Sequence, residues 1–289
     1  MVSLKIGMFE SLIQVTSDIH LDQNRFDDYS NILTPSAKYL IIAGDVANVS
    51  DSEYSSFLIW CSFRFEKVFL IAGNHEYYNS NATYKYNQNR ISINAESMDD
   101  KLTILQEKIN FSNFYFSNIY FLNQDLVELA EFYIYGCTLW TCIENQMKPV
   151  AKRKLNDLKK IFTQGRNGIN PLTVQYRNSL HLSDVDFLDF HLSMPHDKPV
   201  VIVTHHLPSF CVTPEKYKDG CNDAQLFSND MDVLLSNWGF NIPLGVWICG
   251  HSHGNQQCMI GNWDIHLNPV GVGVENPDYS PQYQLDLNY

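Results

Sequence analysis

Five short polar clusters, each placed directly after a short apolar run, constrain the fold of this chain more than any other feature. The apolar runs have the length of buried strands and cover 12–15, 39–43, 68–72, 200–203 and 246–249. The polar clusters that follow them cover 18–20, 44–45, 73–76, 204–206 and 250–253. In open α/β sheets, ligands bind in the crevice beyond the carboxyl ends of the strands. The pattern therefore predicts that residues far apart in sequence meet at one site.

The order of the remaining patterns predicts an α/β fold with a second sheet. The succession strand, helix, strand, helix, strand up to residue 72 predicts a parallel sheet with right-handed crossovers. The predicted helices cover 51–67, 98–108, 148–160, 173–192 and 231–238. Short strands at 118–122, 126–129 and 132–136 are expected to be antiparallel and to start the second sheet, and 257–260 with 263–267 predicts a hairpin. Surface loops are expected at 77–97 and 165–171.

Size, charge and cysteine usage exclude several classes of protein. A chain of 289 residues can bury roughly three quarters of its unfolded surface, so a single domain over residues 1–289 is expected. The net charge of −12 disfavours long nucleic acid as a partner. The sequence has no membrane-length apolar run and no signal-peptide pattern, which predicts a cytoplasmic protein with no membrane partner. The 7 Cys are scattered singly, which argues against a disulfide framework and a cysteine-rich zinc module.

The polar clusters supply the donor atoms of a metal site. Asp18 and His20 are two residues apart in a segment expected to be extended, so both side chains should point to the same side. The predicted ligands are Asp18, His20, Asp45, Asn74, His205, His251 and His253. This set of oxygen and nitrogen donors, without a thiolate, suits manganese, iron or zinc. Seven ligands exceed what one ion normally takes, so two divalent transition-metal ions are expected.

Such a site predicts the displacement chemistry of phosphate esters. Two ions can hold a bridging hydroxide at neutral pH and stabilise the negative charge that develops on phosphoryl oxygens. His75 follows the ligand Asn74 and is not needed as a ligand, so it is the predicted catalytic residue that protonates the leaving oxygen. His206 is expected to point away from the ions, where it either packs or contacts a ligand or phosphate.

The clusters resemble the signature of the calcineurin-like metallophosphoesterases. That signature runs D-x-H, G-D-x-x-D/N, G-N-H-E/D, a single His and G-H-x-H, and it matches residues 18–20, 44–48, 73–76, 205 and 250–253 in order. The resemblance implies a four-layer αββα sandwich of two mixed β-sheets flanked by helices. It also implies one ion at Asp18, His20 and His253, a second at Asn74, His205 and His251, and Asp45 as the bridge. Further matches at 138–141, 156–157, 204–209, 268–269 and 275–277 are similar to a bacterial-type branch of soluble members.

The same residues leave alternatives to a phosphodiesterase. A phosphomonoesterase or a protein phosphatase would use the same ligands, and a scaffold that has lost catalysis would use the same fold. Hydrolysis of a bond other than a phosphate ester is also compatible with the ligands. The acidic surface favours a small phosphorylated substrate such as a nucleotide. The sequence does not indicate the oligomeric state.

Three local matches to catalytic patterns compete with the main set. Asp189 and His191 repeat the D-x-H pattern on a predicted helix, where residues two apart diverge, and are expected to be structural. Asp264 and His266 repeat it in the terminal hairpin. Ser252 lies in a G-x-S-x-G pattern typical of serine hydrolases, and Asp264 and His266 follow it in the required order. Too little chain remains after Ser252 to carry that fold, so the serine-hydrolase hypothesis is disfavoured.

Overall fold

A computed structural model describes residues 13–80, 95–166, 168–215 and 222–287. The strands are β1 Ile13–Thr16, β2 Tyr39–Ile42, β3 Lys67–Leu70, β4 Ile119–Phe121, β5 Asp125–Glu128, β6 Tyr133–Gly136, β7 Phe162–Gly165, β8 Gly168–Pro171, β9 Val200–Val203, β10 Gly245–Cys249, β11 Gln256–Ile260, β12 Trp263–Leu267 and β13 Gln284–Leu285. The α-helices are α1 Glu53–Ser62, α2 Met98–Ser112, α3 Lys148–Lys154, α4 Asp157–Lys160, α5 Val174–Leu192 and α6 Asp232–Gly239.

Two mixed sheets form the centre of the molecule. The first has the order β13-β1-β2-β3-β4, in which β1 to β4 are parallel and β13 is antiparallel to β1. The second has the order β11-β12-β10-β9-β6-β5 and is parallel except at its two edges. The parallel strands carry every predicted cluster, so all five clusters lie at carboxyl ends of strands.

The buried side chains form three layers that hold the sheets and helices together. Apolar residues from both sheets, including Val15 and Ile41 of the first and Val201 and Ile248 of the second, pack in the layer between them. A second layer joins the first sheet to α1 and α2, and a third joins the second sheet to α5 and α6. Each fully buried Leu, Ile or Phe contributes about 1.5–3 kcal/mol. The predicted four-layer αββα sandwich is confirmed, and the single domain stays a prediction.

Local capping explains where two long helices begin. Ser97 Oγ accepts a hydrogen bond from the backbone N–H of Asp100, whose carboxylate accepts one from the N–H of Ser97. Thr173 Oγ1 accepts a bond from the N–H of Tyr176 at the start of α5. The helix predicted at 173–192 is therefore confirmed, whereas α2 runs to Ser112, four residues beyond the predicted end.

Several local predictions were wrong. The strand at 118–122 was expected in the second sheet. It joins the first sheet instead, where it pairs in parallel with β3 and Ile119 lies opposite Val68. The segment predicted as a loop at 165–171 contributes to the antiparallel pair β7 and β8. The predicted helix at 148–160 is interrupted at Leu155 and Asn156. The loop predicted at 77–97 lies largely outside the described residues.

The cysteines differ in part from the expectation. Cys61, Cys137 and Cys249 are buried free thiols, as small hydrophobic residues would be. Cys211 and Cys258, in contrast, form a disulfide that links the segment after β9 to the edge strand β11. Within the described ranges, no helix is both long and apolar enough to cross a membrane.

Candidate active site

The seven predicted ligands converge at the facing carboxyl ends of the two sheets. Backbone hydrogen bonds connect the loops that carry them: the N–H of Asp18 donates to the carbonyl of Gly44 (3.0 Å), and that of His20 to Asp45 (3.1 Å). Across the two sheets, the N–H of His251 donates to both carboxylate oxygens of Asp18 (3.0 and 2.9 Å). The loops therefore form one bonded unit in which the side chains share a small volume.

The backbone of most of these residues is left-handed. Asp18, His20, Asp45, His251 and His253 all have φ between 49° and 67°. Such angles are uncommon for residues other than glycine and cluster at functional sites, because the surrounding structure must hold them. The expectation that Asp18 and His20 lie in an extended segment was therefore wrong. Their side chains converge because two left-handed residues turn the loop back on itself.

One group of donor atoms consists of Asp18, His20 and His253. His20 Nε2 lies 3.1 Å from His253 Nε2, and His253 Nε2 lies 3.4 Å from Asp18 Oδ1. His20 Nε2 also lies 3.8 Å from Asp45 Oδ2. These donor atoms are close enough together to bind a common cation.

A second group lies on the other side of Asp45. His205 Nε2 lies 2.9 Å from Asn74 Oδ1, 3.2 Å from His251 Nδ1 and 3.3 Å from Asp45 Oδ2. The same carboxylate oxygen thus faces a histidine from each group. The other oxygen, Asp45 Oδ1, accepts a hydrogen bond from the N–H of His75 (2.8 Å), which fixes the carboxylate plane.

Contacts behind the histidines determine which ring nitrogen faces the site. His205 Nδ1 lies 2.9 Å from the carbonyl oxygen of Ala43, which can only accept, so Nδ1 carries a hydrogen and Nε2 is the nitrogen that faces inward. His253 Nδ1 lies 2.5 Å from Glu275 Oε1, which has the same effect. Carboxylate or carbonyl partners of this kind commonly orient metal-binding histidines.

Gly44 and Glu76 hold two ligand loops against each other. Gly44 has φ +83°, and a Cβ there would lie 2.6 Å from the N of Gly73 and 2.8 Å from His205 Nδ1. Glu76 accepts hydrogen bonds from the N–H groups of Asp45 (3.0 Å), Val46 (2.8 Å) and Gly73 (2.7 Å), and from Tyr54 Oη (3.2 Å). A single buried carboxylate thus joins the loops that carry Asp45 and Asn74.

We expect Glu76→Ala to lower the free energy of unfolding by about 3 kcal/mol or more, since three buried N–H donors would lose their acceptor at about 1–3 kcal/mol each. Urea denaturation monitored by circular dichroism measures the change. The control is Glu66→Ala, which removes a half-exposed carboxylate 3.7 Å from Lys38 and should cost less than about 1 kcal/mol. Equal losses in the two variants would contradict this role of Glu76.

The electrostatics of the site fit a cation. Burial on its own would raise the pKa of Asp45, but the charges of His205 and His75 hold it well below its usual value. Burial on its own would lower the pKa of His205. The charge of Asp45 outweighs this effect and raises that pKa to about 10. A hydrogen bond with His253 helps lower the pKa of Asp18 to about 2 against the effect of burial. Buried carboxylates that require positive charge, beside converging imidazole nitrogens, form a donor set that suits a divalent transition metal.

His75 lies beside the ligands at the open side of the site. Its ring is 4.5 Å from that of His20 and stacks on Tyr78 at 4.3 Å. Gln23 Nε2 lies 3.5 Å from its Nδ1. Burial lowers the pKa of His75 to about 4, against the opposing charge of Asp45. A phosphate anion bound next to the ring would raise that pKa, because opposite charge favours the protonated imidazole.

The competing patterns form structural contacts. Ser252 Oγ is buried and has no hydrogen-bond partner within the described residues, so it is not activated by a base. His266 instead pairs with Asp264 (3.0 Å) and Tyr283 (2.9 Å). Asp189 accepts a bond from Trp238 Nε1 (2.8 Å). These contacts contradict the serine-hydrolase hypothesis.

Sequence reasoning missed the parts that support the ligands. Glu275 and Asp157 appeared only as further matches to the family pattern, and Arg177 was not singled out. His206 is fully buried, with its ring 4.3 Å from that of His251, so it supports a ligand and does not reach a substrate. Glu76 and His206 had a local signal, since both belong to predicted clusters.

Comparison with known proteins identifies the class. The calcineurin-like phosphoesterase family model matches residues 12–255, and the chain belongs to that family. It is accordingly a metal-dependent phosphoesterase. An uncharacterized protein, L509 of Acanthamoeba polyphaga mimivirus, is 25% identical over 292 residues and aligns with 96% of this chain and 97% of its own. The crystal structure of the phosphopantetheinyl hydrolase from Mycobacterium tuberculosis has the same fold, with a TM-score of 0.69, 17% identity and 96% of each chain covered.

Proposed function

We propose that this protein hydrolyses phosphodiesters of small molecules at a site for two divalent transition-metal ions. The observation that carries the proposal is the position of Asp45 Oδ2, which lies 3.8 Å from His20 Nε2 and 3.3 Å from His205 Nε2. A carboxylate oxygen shared by two groups of donors suits a pair of ions bridged by that residue. Asp18, His20 and His253 complete one ligand set, and Asn74, His205 and His251 the other. Manganese, iron or zinc would satisfy these donors.

When bound, the ions would lower the pKa of a water nucleophile and neutralise charge on the phosphoryl oxygens. The chain contributes the arrangement around them. Asp45 is fixed by the N–H of His75, and His205 and His253 are fixed by Ala43 and Glu275. The ring of His75 lies 4.5 Å from that of His20, and we assign His75 the role of donating a proton to the oxygen of the leaving group.

We expect His75→Ala to lower kcat about 10²-fold on an alkyl phosphate ester, because a poor leaving group needs the proton that His75 donates. On a p-nitrophenyl ester, whose leaving group departs without a proton, the loss should be several-fold smaller. Steady-state kinetics on both esters measure the difference. Gln23→Ala is the control, since it removes the polar neighbour of His75 and leaves the imidazole. Equal losses on the two esters would contradict the role as acid.

A substrate screen tests the proposed reaction. The net charge of −12 favours a compact phosphorylated molecule, such as a nucleotide, over long nucleic acid. One protein of the same fold is a phosphopantetheinyl hydrolase, so phosphopantetheinyl esters belong in the screen. Bis-p-nitrophenyl phosphate and p-nitrophenyl phosphate, each with manganese, iron, zinc and magnesium, separate the two reactions. Faster hydrolysis of the monoester would contradict the proposed phosphodiesterase and indicate a phosphomonoesterase.

We also propose that the protein is cytoplasmic.

A further inference from the structure

A buried polar network extends from the second group of ligands into the protein. Asp157 and Arg177 are 2% and 0% exposed. Asp157 Oδ1 accepts hydrogen bonds from Asn74 Nδ2 (3.0 Å) and from Tyr78 Oη (2.8 Å). Arg177 Nε lies 3.5 Å from the other oxygen, Asp157 Oδ2. The amide of a predicted metal ligand is thus connected to a buried ion pair.

The charge of Asp157 selects one orientation of the Asn74 amide. An ionised carboxylate only accepts hydrogen bonds, so it must face the NH₂ group of Asn74. The amide oxygen is then directed to the opposite side, where it lies 2.9 Å from His205 Nε2. The flipped amide would present NH₂ to the ion site and place two oxygens against each other at Asp157.

Arg177 forms an ion pair with Asp157 and also contacts His206, which packs on a second predicted ligand. Its Nη1 donates to the carbonyl oxygen of Thr141 (2.6 Å), and its Nη2 lies 3.2 Å from His206 Nε2. His206 Nδ1 lies 3.4 Å from the carbonyl oxygen of Thr138, so Nε2 is the acceptor from Arg177. The His206 ring then packs 4.3 Å from His251. One guanidinium from α5 therefore supports both Asn74 and His251.

We infer that Asp157 and Arg177 are positioning residues that fix the Asn74 amide with its oxygen toward the second ion. This role rests on the proposed two-ion site. Within the described residues, no hydrogen bond or ion pair joins Asp157 or Arg177 to the first group, Asp18, His20 and His253. Loss of Asp157 should therefore weaken one ion site and spare the other.

Manganese binding to the full chain tests the inference. Asp157→Leu removes the acceptor and keeps the branched shape of the side chain, and we expect the Kd of the second Mn²⁺ to rise about 10- to 100-fold with the first unchanged. Equilibrium dialysis with elemental analysis gives the stoichiometry. Electron paramagnetic resonance gives the fraction of Mn²⁺ in exchange-coupled pairs, which should fall. Asp157→Asn keeps an acceptor for the Asn74 amide and should retain most of the pairs.

A double variant separates positioning from stability. Asp157→Leu leaves the buried Arg177 without its carboxylate partner, which should destabilise the protein. Adding Arg177→Met removes the second charge as well, so we expect stability to return while the acceptor for Asn74 stays absent. We expect the double variant to regain its melting temperature and still lack the second ion. Asp184→Leu is the matched control, since Asp184 is a 4% exposed carboxylate of α5 that contacts Gln124 and Trp140. The Asp184→Leu variant should still bind two ions.

Two outcomes overturn the inference in distinguishable ways. A wild-type chain that binds a single Mn²⁺ would refute the two-ion site and, with it, this role of Asp157. A wild-type chain that binds two, together with Asp157→Leu or the double variant binding two at the same Kd, would refute the positioning role alone.

Discussion

Replacing Asp45 by Asn is expected to lower phosphoesterase turnover by about 10³-fold, the upper end of the range for losing one electrostatic group of an active site. Asp45 Oδ2 faces His20 and His205, and both of those histidines lose their carboxylate neighbour in the variant. An amide has the same shape as the carboxylate but no charge to balance the two cations of the proposed site. The variant should therefore fold and bind fewer ions. Turnover of bis-p-nitrophenyl phosphate and metal content by elemental analysis measure the two effects.

Asp264→Asn is the matched control for that variant. Asp264 is also buried and lies 3.0 Å from a histidine, His266, in a D-x-H pattern outside the ligand set. It should change turnover less than about 3-fold, because surroundings remote from the reacting atoms contribute mainly to stability. A chain in which both variants keep normal turnover would refute the assignment of Asp45.

Removal of the metal should abolish activity and destabilise the fold. A chelator is expected to lower turnover by more than about 10³-fold, since bound ions would supply both the nucleophile and the charge neutralisation. Ions present at about 1,000 times their Kd would stabilise the native state by about 4 kcal/mol each. For a chain of this size, that corresponds to a rise in melting temperature of roughly 8–16 °C per ion.

Calorimetry of the chelated and the reloaded protein checks this expectation. Activity should return on addition of manganese, iron or zinc, and the melting temperature should rise with the same concentration dependence. A chelated chain with unchanged melting temperature and unchanged turnover would show that the converging histidines and carboxylates do not hold a catalytic ion. The His75→Ala variant is a further control, because it should lose activity while keeping its response to the chelator.

The sequence predicted the fold to the extent that local patterns carry it. The helix α5 has a threonine cap and a breaking proline beyond its end, and it was placed correctly. In contrast, β4 was assigned to the wrong sheet, since a three-residue strand carries no information about its partner. Residues 165–171, which include β8, were predicted as a loop because their glycines and asparagines are typical of turns. The disulfide between Cys211 and Cys258 joins residues 47 apart and depends on tertiary proximity.

The convergence of the proposed ligands could be predicted from the sequence because each one follows a strand, and the carboxyl ends of parallel strands lie along one edge of a sheet. The residues that orient them could not. Glu275 reaches His253 from a loop near residue 275, and Arg177 reaches Asp157 from the first turn of α5, a helix whose pattern is ordinary. The sequence by itself determined which donors the site contains and in which order. The tertiary structure alone decided which nitrogen or oxygen of each donor faces inward, because that choice depends on hydrogen bonds between distant segments.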